Sequence, residues 1–342
     1  MMKTNIIPLK TWNHLGVNGC DCPTFAKTNK EFIQSIESSK AFNNVPFELN
    51  ERADEYLANY VNENKNASVF ITEDGENTIR IKADILDDNL ASKINILAKE
   101  NSNLTIYYIV NGEKKDNAYF STIMNIKAEA YASVKLIFVE LMKKDANTWS
   151  NIMIEQAENS NIDITRILIG AKLTISAIHS NLNDFNANLR VNTFFEKGQD
   201  QVIDINDIAK HYGKSTHSDM FCDGMLDHNA HKIYRGTIDF ITGSESSKGK
   251  VIDNVLLLSN NIINKTCPLI LCTEENVEGE HGASIGRFNL EHLFYLTSRG
   301  LTIAQAKALL IKARIYFVLN NIEDEELRNL IYTYTKGELD NV

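Results

Sequence analysis

The sequence is poor in the features that mark nucleic-acid binders, membrane proteins and secreted disulfide scaffolds. Basic residues are outnumbered, with 35 Lys and Arg against 45 Asp and Glu and a formal charge of -10. No Lys/Arg-rich block overrides that average locally. A chain of this charge repels phosphate backbones and anionic headgroups, which argues against nucleic acid and membrane surfaces as partners. Cysteine is scarce, 5 residues, an odd number too sparse for a disulfide framework. This fits a reducing compartment in which each thiol is free to be a ligand or a reactive group. Long apolar runs are missing as well: stretches such as Val255–Leu258 are far too short to cross a bilayer, and Met1–Lys10 has no apolar segment of signal-peptide length. The expectation is a soluble, cytoplasmic protein. A hydrophobic fraction of 43% over 342 residues is enough to bury a substantial core.

Three textures follow one another along the chain, and they set the expected boundaries: an N-terminal helical region over 1–66, a strand-rich core over 67–288 and a C-terminal helical subdomain over 289–342. In the first, Lys27–Ser38 and Glu51–Asn64 carry apolar residues at helical spacing, with Asn50 a candidate N-cap for the second. From Ala67 the pattern changes to short strands, among them Val69–Ile71, Thr78–Ile81, Leu104–Val110, Ile162–Leu168 and Lys172–Ile178, separated by Asn, Asp, Gly or Ser. That spacing fits a sandwich, a barrel or a solenoid. Hairpin dipeptides are few, namely Asn18-Gly19, Asp74-Gly75, Asn111-Gly112 and Asp223-Gly224, and most strand breaks are Asn-rich without glycine. Asparagine tolerates the left-handed conformation and can hydrogen-bond along stacked turns, which tilts the choice toward a parallel solenoid, although no strict repeat length is visible. After Asn289 the helical period returns. Leu290–Ser298 stops at Arg299-Gly300, Thr302 and Gln305 form a capping box, the next helix carries Ile303, Ala306, Leu309, Leu310, Ala313 and Phe317, and a third segment covers Glu325–Tyr332.

Few motifs carry chemistry. Gly213-Lys214-Ser215-Thr216 resembles the end of a phosphate-binding loop, but the required earlier glycine is Ile208, so a solvated turn is the better reading. Cys20 and Cys22 are two loop thiols without a second Cys/His pair at metal-site spacing. Cys267, Cys272 and His281 offer thiolate and imidazole, the ligands that suit iron. Strand alternation opposes a joint site, because 267 and 272 differ by an odd number and point to opposite faces of an unbroken strand. A buried structural thiol is the competing reading for each cysteine, and a structural role is the competing reading for His281. That histidine sits in Glu278-Gly279-Glu280-His281-Gly282-Ala283, where small neighbours leave the ring accessible and carboxylates favour its charged or metal-bound form.

Four ordered blocks then carry a resemblance: Tyr234-Arg235-Gly236-Thr237-Ile238; Asp253-Asn254-Val255-Leu256-Leu257-Leu258-Ser259; His281-Gly282-Ala283-Ser284-Ile285-Gly286; and Leu293-Phe294-Tyr295-Leu296-Thr297-Ser298-Arg299-Gly300-Leu301. Together they resemble the SufB/SufD family of iron–sulfur cluster assembly proteins. The resemblance implies a mainly β fold, a right-handed parallel β-helix with helical N- and C-terminal regions. It also implies a scaffold without catalysis of its own, which pairs with a SufB-like paralogue (or itself) through the solenoid and with SufC, an ABC-type ATPase, through the C-terminal helices. SufB-like chains carry a cysteine before the Leu-rich strand and a glutamate after the histidine; Asp253 and Gly282 stand there, which points to the SufD type. By position, His281 is then a ligand at a transient iron–sulfur cluster at the SufB interface, with Cys267 and Cys272 as weaker candidates and a reduced flavin as a further cofactor of the complex. The alternatives are a SufB-like primary scaffold, a homodimer serving both roles, and a polysaccharide-cleaving β-helix enzyme. The last would need clustered acidic and basic residues along one face, and none is evident.

Overall fold

The computed structural model describes residues 3–11, 13–21, 27–28, 32, 35–40, 49, 54–86, 88–112 and 114–339. From Ala67 to Gly286 the chain winds into a parallel β-solenoid of about seven turns, and strands make up 52% of the residues. Successive strands alternate between two sheets, one of nine strands and one of eight, so each strand's hydrogen-bonded neighbour lies two strands away in sequence. The solenoid alternative is thus the observed one, and Asp74-Gly75 links strands of different sheets rather than closing a hairpin.

The coils differ in length, which explains why no repeat is visible in the sequence. Ala67 lies beside Ser92, Asn147 beside Leu173, Asn103 beside Ser133 and His231 beside Ile263. Insertions at the corners move the period while the strands keep their register. The corners use the conformation expected of asparagine: Asn101, Asn117, Asn159, Asn186 and Asn229 all have positive φ, and Asn186 Nδ2 donates to Asn159 Oδ1 one coil away at 2.8 Å. Gly170 is held by sterics: it sits at φ +74, and an added Cβ would fall 1.7 Å from the Met142 carbonyl oxygen.

Many strands are buried on both faces and therefore read as nearly continuous apolar runs. In Ser133–Met142, Val134, Leu136, Phe138 and Met142 face the solenoid interior. The alternate residues Ile137, Val139 and Leu141 lie under the C-terminal helices with Ile311, Ile315, Leu327 and Ile331. The eight-stranded sheet is covered outside by helix α1 (Glu55–Asn64), whose Leu57 and Val61, one turn apart, pack on Trp149, Met153 and Ile175. Burying those two side chains contributes roughly 3–6 kcal/mol.

Two expectations for the N-terminal region need correction. Ser35–Ser38, expected as the end of a helix, is a strand that pairs antiparallel with Glu76–Asp84 and closes the first edge of the nine-stranded sheet. Edge pairing overrides the helical spacing there. Helix α1 is capped by Asp54, whose carboxylate accepts from the Tyr56 and Leu57 amides; Asn50 lies outside the described residues. At the other end the reading holds in detail. Helix α2 (Leu290–Ser298) ends before Gly300 at φ +97, and α3 (Ile303–Leu319) starts in a Thr302–Gln305 capping box. The last segment, α4, runs over Glu325–Leu339, longer than expected.

Candidate functional site: the open end of the solenoid

The solenoid ends in two strands with free edges, Ile263–Cys272 in one sheet and Glu278–Gly286 in the other, and no described strand pairs with either outer edge. His281 sits in the second. It lies in register with Val251, an interior residue, so it belongs to the inward-facing row; because no coil follows, it is exposed. Cys267 is beside Arg235 on the outward-facing row of the other edge strand, half-buried, its thiol pushed up by burial against the pull of Arg235. Cys272 closes that strand, exposed, with Sγ 2.9 Å from the Glu274 carbonyl oxygen. The opposite orientations expected of the two cysteines are those observed. Among the described residues no three His, Cys, Asp or Glu side chains gather as a ligand set. The chain therefore brings His281 to a free edge without building a closed metal site around it.

The coil behind this end is held by a buried ion pair that sequence reading did not anticipate. Lys232 Nζ lies 2.6 Å from Asp253 Oδ2, both side chains fully buried, and Thr266 Oγ1 donates to the same oxygen at 2.5 Å. Asp253 is thus a structural carboxylate inside the solenoid. Arg235 is equally structural. Its guanidinium grips Asp204 at 2.5 and 3.0 Å and donates to the Val17 carbonyl, while Asn5 Nδ2 donates to Asp204 Oδ1 at 2.7 Å. Those bonds fasten the N-terminal leader across the outside of the eight-stranded sheet. The Cys20 thiol, half-buried within that leader, is pushed up to about 12 by burial and by Asp204, which favours its protonated form; Cys22 lies outside the described residues.

Further charges lie deeper along the interior. Arg166 binds Asp207 at 2.7 Å and donates to Ser176 and Thr193. Glu140 is fully buried, and burial pushes its carboxyl up to about 7 in spite of the charges of Lys197 and Arg166. None of these could be found without the coil register, because a charged residue in a strand of unknown phase reads as outward-facing. Gly213-Lys214-Ser215-Thr216 is a solenoid corner, as the turn reading has it: Ser215 has φ 55, Lys214 pairs with Glu245 at 3.0 Å, and Thr216 bonds His211 at 2.7 Å.

Beyond the open end, α2 projects with little support. Leu290, Phe294, Tyr295 and, at the start of α3, Ile303 are 79%, 74%, 57% and 63% exposed, an apolar surface far above what single scattered residues supply. No described helix is long and apolar enough to cross a membrane.

The chain is a parallel β-solenoid whose nine-stranded sheet is capped at one edge and met by no described strand at the other, with a histidine on that open edge and an apolar helical tail beside it. Its sequence places it among known proteins. The family model described as the SUF system FeS cluster assembly SufBD core domain matches residues 81–314, more than half of the chain, and the chain belongs to that family. It is 25% identical over 245 residues to the iron–sulfur cluster assembly protein SufD of Bacillus subtilis, which covers 71% of this chain and 56% of that one. To SufD of Escherichia coli it is 23% identical over 175 residues, 51% of this chain and 41% of the relative. A SufBD family iron–sulfur cluster assembly protein of Staphylococcus haemolyticus is 25% identical over 169 residues, 48% and 36% of the two chains. The chain thus spans about half the length of the curated relatives it matches.

Proposed function

We propose that this chain is a SufD-type, non-catalytic subunit of a SufBCD iron–sulfur cluster assembly scaffold. It pairs with a SufB-like paralogue at the open end of the solenoid and docks the SufC ATPase through α2 and α3. The observation that carries this reading is the free edge strand Glu278–Gly286 with an exposed His281 on its inward row. A strand laid along that edge would satisfy a row of unpaired amides and carbonyls and bring a partner's ligands beside the imidazole. The nascent cluster is cargo at that junction. Imidazole holds iron less firmly than thiolate, which suits a ligand that must release its load. The bare apolar surface of α2 and the start of α3 supports the docking assignment, and the family-like Leu293–Leu301 block lies on it.

Anaerobic co-purification with SufB and SufC of the same organism, followed by iron and sulfide reconstitution, tests the reading. Wild-type chain should raise cluster absorbance in the complex, and His281→Ala should lower that absorbance while the subunits still co-purify. Unchanged absorbance with the variant would remove His281 from the mechanism.

A further inference from the structure

The outer face of the nine-stranded sheet carries a row of charges that alternates in sign from coil to coil. In register across adjacent strands stand Lys135, Asp163, Arg190, Asp219, Lys250 and Glu280. Opposite charges directly across neighbouring strands stabilise a sheet, and like charges there oppose pairing. The row breaks off on an acid, Glu280, 2.8 Å from Lys250, and the neighbouring row breaks off on Glu278, 2.9 Å from Lys248. Both acids lie on the open edge strand, so the next strand of the sheet, were there one, would meet two glutamates.

We infer that the strand which continues the nine-stranded sheet beyond Glu278–Gly286 belongs to a different chain and carries Lys or Arg on its outer face opposite Glu280 and Glu278. This rests on the pairing proposed above and adds the chemistry of the partner strand. A second copy does not supply it. Edge to edge with outer faces aligned, even-numbered residues of this strand meet even-numbered residues, and these are Glu278, Glu280, Gly282, Ser284 and Gly286, without a base among them. With the sheets exchanged, the other edge strand INKTCPLILC offers Lys265 alone, and its Nζ is engaged by the Leu15 carbonyl at 2.8 Å. A copy therefore leaves the acids facing neutral groups or each other, whereas a basic strand extends the alternation by one step.

The test uses the full chain and the SufB-type chain of the same organism, with light scattering for mass and a binding isotherm at low and high salt. The chain alone should remain monomeric at micromolar concentration. The wild-type pair should form a complex that weakens with salt. The double variant Glu278→Lys, Glu280→Lys alters only exposed side chains, and circular dichroism checks that it folds. It should lower affinity at least about tenfold, and reversing the facing base of the partner to Glu should restore it. A concentration-dependent dimer of the chain alone, or a complex indifferent to both salt and the double reversal, overturns the inference while leaving the pairing itself in place. Absence of any complex refutes the pairing, and the inference falls with it.

Discussion

The two ends of the nine-stranded sheet solve the same problem in opposite ways. At the first end the antiparallel strand Ser35–Ser38 covers the edge, whereas in the eight-stranded sheet no described strand pairs with the outer edge of Ala67–Glu73. At the last end no described strand pairs with the outer edges of Ile263–Cys272 and Glu278–Gly286, and Glu278 and Glu280 stand exposed on the second. An exposed sheet edge invites pairing, so natural proteins cover it unless pairing is wanted. The contrast supports the pairing proposed for the open end. Behind that end the last coils are tied together from inside, by Lys232–Asp253 and the residues that bond them.

Asp253→Ala is the largest way to break that contrast. It leaves Lys232 charged and unpaired in the interior, and should cost about 3–5 kcal/mol in urea denaturation. A loss below about 1 kcal/mol would mean that the last coils are soft and the open end is not a firm platform. Next in size is Glu140→Gln, which probes the interior midway between the ends. With its carboxyl raised to about 7, the folded state holds a proton that the unfolded state releases near the ordinary value of 4.5. Its contribution to stability is full below the unfolded value and is lost as pH rises toward the folded one. The difference between wild type and variant should therefore change by up to roughly 3 kcal/mol between about pH 4.5 and 7. A flat difference curve would place the carboxylate in contact with water.

Uncapping the closed end comes third. Replacing Ile36 and Glu37 together by proline removes a ladder amide whichever of the two faces Glu76–Asp84, and should cost about 1–2 kcal/mol. Light scattering should then detect new oligomers, because a further free edge has been created; a variant that stays monomeric would show that Ser35–Ser38 does not act as a cap. The smallest effect on stability belongs to Glu278→Lys with Glu280→Lys, which sets like charges against the exposed Lys248 and Lys250 and should lower the melting temperature only slightly even as association weakens. A melting temperature that falls as far as that of Asp253→Ala would assign the two acids to holding the last coil.

The strand-rich middle, the helical tail and its caps were legible because they rest on local signals. Thr302 and Gln305, Gly300 and the corner asparagines each act within a few residues, and the structure uses them as read. Ser35–Ser38 was misread because its conformation is decided by Ile79–Lys82, distant in sequence, and not by its own spacing. The exposure expected of His281 is observed, though it comes from the free edge and not from its small neighbours, and the divergence of Cys267 from Cys272 followed from strand alternation. The charge rows and the buried pairs could not be seen. Each depends on which residues lie abreast in coils of unequal length, and a single sequence does not contain that register.

Hydrogen exchange on the chain alone and in complex with the SufB-type subunit tests the central claim most directly. The account predicts new protection in Ile263–Cys272 and Glu278–Gly286, with Ser35–Ser38 and Glu76–Asp84 unchanged. Protection that appears at Ser35–Ser38 while Glu278–Gly286 continues to exchange freely would contradict it.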